Sequence, residues 1–206
     1  MITNANLNKS FKQKFKPAIL IISIACVGLS GCAGSHKDTD PRYTHSINQQ
    51  KELDHWGQKY QANRQNSENA IGFAKALVKV RQEGRALDVM QKAHAENPND
   101  KNLTSEYGRI ALNAGENGLA SKLLKKASTN QKADWKILSA KGVLEARAGK
   151  NKTAINYFKK ALKQNPRQAS ILNNLGLAYA VTGNYKSAEK YLKQALWDSR
   201  YTRQVR

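Results

Sequence analysis

One spacing constrains this chain more than any other: residue types recur 34 positions apart. Gly108, Gly142 and Gly176 form one column, and Gly115, Gly149 and Gly183 a second. Ala86, Ala120, Ala154 and Ala188 form a third, and Ala93, Ala127, Ala161 and Ala195 a fourth. Met90, Leu124, Phe158 and Leu192 form a fifth. Five columns on one period require a stack of like units. The clearest unit is Ala169 to Leu196. Leu172, Leu175, Gly176 and Tyr179 lie at helical spacing, Gly183-Asn184 make a turn, and Ala188, Leu192 and Ala195 resume the spacing. That pattern predicts two short amphipathic helices. A lone helical hairpin cannot bury its apolar face, so the units must cover one another.

Each column has a packing role. A small residue at Gly176 and Ala188 lets the two helices of a hairpin approach closely. The larger side chain at Leu192 or Phe158 is expected to fill the space between hairpins. The turn glycines accept positive φ, and Pro98 and Pro166 end second helices because proline cannot continue the hydrogen-bond ladder.

On these columns, residues 67–200 resemble the tetratricopeptide repeat family. Units fall at 67–100, 101–134, 135–168 and 169–202. The second has Lys132 in place of the terminal proline. The first is degenerate: Ala74 replaces the packing glycine, and the turn glycine is read as displaced to Gly84. The expected fold is an all-α helical-hairpin solenoid of about four repeats (67–206). A leading capping helix (47–66) precedes it, with Leu53, Trp56 and Tyr60 at helical spacing.

The N-terminus addresses location. Lys9, Lys12, Lys14 and Lys16 precede an apolar run, residues 18–29, too short to span a bilayer and suited to a signal-peptide core. It ends in Leu29-Ser30-Gly31-Cys32, which resembles a bacterial lipobox. The resemblance implies cleavage after residue 31 and acylation of Cys32. Cys26 would leave with the signal, so no thiol pair would remain for an intramolecular disulfide. Ala33 follows, where an aspartate would resemble inner-membrane retention. The expectation is therefore a lipid anchor in the outer membrane with the body in the periplasm. Residues 32–46, small and polar, read as a flexible tether.

Charge is the strongest compositional signal, at +20 for the chain and +16 once the four lysines of the signal are gone. Such an excess suits nucleic acid, an anionic membrane surface or acidic partners. Export argues against nucleic acid. Lysines crowd the second helices, as at Lys122, Lys125, Lys126, Lys159, Lys160 and Lys163. They read as a solvated face or as contacts to anionic headgroups. No catalytic constellation is visible. His36, His45 and His55 lack a cysteine partner after processing, and His94 stands alone. The stretch Ala148 to Thr153 fails the phosphate-loop pattern at Leu144 and Asn151. No metal, cofactor, small-molecule substrate or nucleic acid is expected, and no enzyme.

What remains is a binding surface. The family resemblance implies that first helices line a concave groove for a protein client. Carried over by position, the groove comprises Asn102, Ser105, Arg109 and Asn113, then Lys136, Ser139, Val143 and Arg147, then Ser170, Asn173, Leu177 and Ala180. Arg109, Lys136 and Arg147 would favour an acidic segment. The last residues, Trp197 onward, offer at most the start of a capping helix. The phrases NNLGLAYAVTGN and TRQVR, with the lipobox, resemble the lipoproteins of Tad (tight adherence) pilus assembly. That implies an adaptor for the Flp-type pilus machine or its secretin. The alternatives are a pilotin-like lipoprotein of another system and an envelope scaffold for wall hydrolases or proteases.

Overall fold

The structure, a computed structural model, describes residues 41–128 and 133–204. The signal segment, Cys32 and most of the expected tether lie outside the described residues, as does Lys132. The described chain is helical throughout: α1 (Pro41–Ala62), α2 (Ser67–Lys79), α3 (Glu83–Glu96), α4 (Lys101–Asn113), α5 (Asn117–Ala127), α6 (Trp135–Arg147), α7 (Asn151–Gln164), α8 (Ala169–Val181) and α9 (Tyr185–Gln204). It is an all-α helical-repeat fold. Each 34-residue unit is one hairpin: α2–α3, α4–α5, α6–α7 and α8–α9.

The repeat extends to the helix ends. The side chains of Asn66, Asp100 and Asp134, 34 apart, cap α2, α4 and α6 by accepting from the amides of Asn69, Leu103 and Ile137 at 2.8–2.9 Å. Each such cap contributes about 1 kcal/mol. The hairpin turns share one bonding pattern, in which the amides of Gln82, Glu116, Lys150 and Asn184 reach back to the carbonyls of Leu77, Ala111, Glu145 and Tyr179 at 2.9–3.0 Å. That geometry needs a left-handed residue just before the bonded amide. Gly115, Gly149 and Gly183 supply it at φ 86°, 75° and 78°.

In the first unit the left-handed residue is Arg81, at φ 62°. This corrects the reading of Gly84 as the turn glycine: Gly84 lies inside α3. Arg81 keeps the register at the expense of a strained backbone, because its Cβ crowds the following carbonyl. Arg81→Gly is therefore expected to stabilise the protein by about 0.5–1 kcal/mol, after allowing for glycine's freer unfolded chain. The thermal midpoint should rise by about 1–4 °C. A lower midpoint would show that the arginine side chain contributes more than its backbone loses.

The large column packs inside each hairpin, against the glycine column, which corrects the expectation that it fills the space between hairpins. A Cβ built on Gly108, Gly142 or Gly176 would come within 2.9, 2.5 or 2.7 Å of Leu124, Phe158 or Leu192. In the first unit Ala74 and Met90, both fully buried, join one core cluster, the flexible thioether filling where a rigid ring would clash. Leu53, Trp56 and Tyr60 of α1 pack onto α2 in that cluster. The helix starts at Pro41, so Pro41 to Ser46, read from composition as tether, are helical. Proline is at home in a first helical turn, and no glycine follows it before Gly57. At the other end α9 runs unbroken to Gln204, so the residues after Trp197 extend the last helix and start no capping one.

Curvature follows from which helices touch. Among the described residues α2 packs on α4, α4 on α6, and α6 on α8, whereas no second helix meets the next second helix. First helices therefore form the inner, concave wall and second helices the outer, convex one.

Candidate binding groove

Four first helices line the groove, and the 34-residue register decides what each contributes. One column reads Lys75, Arg109, Val143, Leu177 and another Lys79, Asn113, Arg147, Val181. The wall thus changes character along its length, from cationic near α2 to apolar near α8.

At the cationic end sits a buried carboxylate. Glu106 on α4 is 2% exposed. Arg109, one turn on, donates through Nη1 to both of its oxygens at 2.7 and 2.8 Å. Lys75 from α2 approaches at 3.2 Å and Lys136 from α6 at 3.8 Å. Burying a carboxylate is tolerated only with such pairing. One anion thereby ties three successive repeats across the concave face. Three cations against one carboxylate also leave positive charge at the rim. Beside this cluster a hollow of about 500 Å3 opens between α1, α2 and α4, with Trp56, Ile71 and Ile110 among its apolar lining. Trp56 lies on bare backbone there, since a Cβ at Gly72 would come within 2.2 Å of its ring. Lys79 pairs with Glu52 across the hollow at 2.6 Å.

The apolar end is a hollow of about 290 Å3 between α6 and α8, lined by Val143, Ala146, Leu177 and Val181 among others. Leu177 and Val181 are 51% and 72% exposed. One helical turn apart, they form a short apolar ridge.

The expected groove residues divide by what they do. Asn102 and Asn113 line the large hollow, and Ser139 and Ser170 line a smaller one of about 140 Å3 with Arg109, Lys136 and Val143. Ser105 is buried and donates its hydroxyl to the Asn102 carbonyl at 3.0 Å. Asn173 is exposed and Ala180 half-buried. Arg147 reaches back one repeat, donating to the Leu112 carbonyl at 2.7 Å and to Asn117 Oδ1 at 2.8 Å. It stitches units together more than it awaits a ligand. Glu106, Lys75, Lys79 and Val181 were absent from the positional reading. Subtracting 34 from Arg109 and Asn113 finds both lysines, and adding 34 to Arg147 finds Val181.

A helical stack with an open, ligand-sized groove is the architecture of protein-interaction scaffolds. Among the described residues no group of three His, Cys, Asp or Glu is placed to hold a metal ion, and no helix is long and apolar enough to cross a membrane. Residues 139–201 match the model of the tetratricopeptide repeat family, a stretch that spans most of the third and fourth units. No curated protein matches the chain. Among solved structures, one chain of the APC/C hetero-tetramer Cut9–Hcn1 is similar at 22% identity and a TM-score of 0.69, covering 77% of this chain. This chain spans only 32% of that one. A crystal structure of MamA is similar at 17% identity and a TM-score of 0.56, covering 81% of this chain and 98% of that one. MamA 41-end from Desulfovibrio magneticus RS-1 gives 17% identity and a TM-score of 0.58, covering 78% and 91%. At such identities the likeness is one of fold.

Proposed function

We propose that this protein is a lipid-anchored, non-catalytic adaptor that holds a protein client in its concave groove. The observation that carries this reading is the solvent-exposed apolar ridge of Leu177 and Val181 inside a preformed hollow. Exposed apolar groups in a concave site lower the free energy most when a partner covers them. The lipobox at Cys32 supports anchoring at the periplasmic face of the outer membrane. The likeness of NNLGLAYAVTGN and TRQVR to Tad lipoproteins supports a client in the Flp-type pilus machine, its secretin foremost.

A photo-crosslinking residue in place of Val181, introduced into the acylated protein in cells, tests this. The expected adduct is a pilus-assembly component, identified by mass spectrometry and missing when the crosslinker sits at an outward position such as Lys160. Adducts dominated by wall hydrolases or proteases would overturn the pilus client and leave the adaptor. No adduct at all would overturn the groove.

A further inference from the structure

The concave face does not hold most of the net positive charge. α8 carries no charged residue, and α2, α4 and α6 mix both signs. The second helices of the later units differ. α5 carries three lysines and α7 four, with no acidic residue on either. α9 adds Lys186, Lys190, Lys193 and Arg200. Its two acids are engaged, Glu189 with Lys193 at 2.6 Å and the buried Asp198 with Arg167 at 3.0 Å. α3, the second helix of the first unit, breaks the series with Glu83, Asp88 and Glu96 against Arg85 and Lys92. A chain that was merely lysine-rich would spread its charge. This one sorts it onto three successive second helices of the convex wall, where Lys125, Lys159 and Lys193 share one column of the repeat.

Apolar groups stand among these cations. Leu196 and Trp197 are 52% and 71% exposed. At 100° per residue both fall within about 60° of the line through Lys193, on the same side of α9 as Lys186 and Lys190. Between α7 and α9 a shallow hollow of about 340 Å3 is lined both by Lys159 and Lys163 and by Leu162, Pro166 and Leu172. Cations interleaved with an exposed indole and leucine match a phospholipid headgroup layer. Ammonium groups meet phosphates, and the indole and isobutyl groups enter the boundary with the acyl chains.

We propose that the convex wall of the second to fourth units docks onto an anionic phospholipid bilayer, with Trp197 and Leu196 seated at headgroup depth. The proposal stands apart from the client reading and needs no acyl chain on Cys32. It points the groove away from the lipid, into the aqueous space.

The test uses the full chain with Cys32→Ser, so that no acyl group contributes. Every variant carries the same N-terminal segment, so differences report on the convex wall. Partition is measured by flotation with vesicles of pure phosphatidylcholine and with vesicles containing a third phosphatidylglycerol. The expected result is at least tenfold stronger partition into the anionic vesicles, lost in Lys122→Gln/Lys126→Gln/Lys160→Gln/Lys163→Gln. A blue shift of Trp emission on binding should disappear in Trp197→Ala. Circular dichroism confirms that both variants keep their helix. Equal partition into the two vesicle types, or an undiminished quadruple variant, overturns the proposal. So does tighter binding to a single-stranded RNA oligonucleotide than to anionic vesicles at the same salt, which would mark the wall as a nucleic-acid surface.

Discussion

Leu177→Asp combined with Val181→Asp is expected to weaken client capture by about a hundredfold or more, with the thermal midpoint nearly unchanged. Both side chains already stand in water, so charging them disturbs little of the folded core, and surface changes of this kind stay within about 0.5 kcal/mol. In the complex the same positions would be dry. There each substitution loses an apolar contact and buries a carboxylate without a partner, worth about 2 kcal/mol or more apiece. The dissociation constant of the client recovered by crosslinking is the measurement. The neutral pair Leu177→Ala and Val181→Ala should fall between wild type and the charged pair. Capture that ignores both pairs would remove the apolar ridge from the binding site.

Phe158→Ala should lower stability by about 3–5 kcal/mol, a large share of the 5–15 kcal/mol that holds a typical domain together. Phe158 is 1% exposed and fills the space between α6 and α7 against Gly142. The sharper form of this prediction is a coupling. Gly142→Ala alone places a methyl 2.5 Å from the Phe158 ring and should destabilise by about 1–3 kcal/mol. In the Phe158→Ala background the ring is gone, and most of that second loss should vanish. Chemical denaturation of the four proteins closes the cycle. Strict additivity would mean that the bare backbone at Gly142 is kept for some reason other than the ring.

Much of this architecture was legible because a repeat states each packing rule several times over. Four helical hairpins and three of their turns appear as columns of one period, and the large column appears too, although only the structure shows that it packs against the glycines of its own hairpin. The match at residues 139–201 falls where those columns are cleanest. The first unit was harder to read because two of its defining residues are replaced. Arg81 holds a glycine's conformation, and Met90 opposes Ala74 where its counterparts oppose glycines. A composition-based boundary also misplaced the start of α1, since short polar residues suit a loop and a helix's outer turn alike.

The groove shows where reading by position stops. The period placed Arg109 and Arg147 on first helices, in two adjacent inward columns. Only the folded chain shows Arg109 clamped on Glu106 and Arg147 spent on the Leu112 carbonyl of the unit before. Glu106 itself passed unnoticed, because a glutamate on a helix is ordinarily exposed and nothing local announces that cations from α2 and α6 will surround it. Backbone register was determined by sequence alone, since positions 34 residues apart repeat the same steric demand. The partners of the charged groups were decided by tertiary structure. A long side chain goes to whichever opposite charge or carbonyl the adjacent repeats bring within about 3 Å, and that distance exists only once the repeats have stacked.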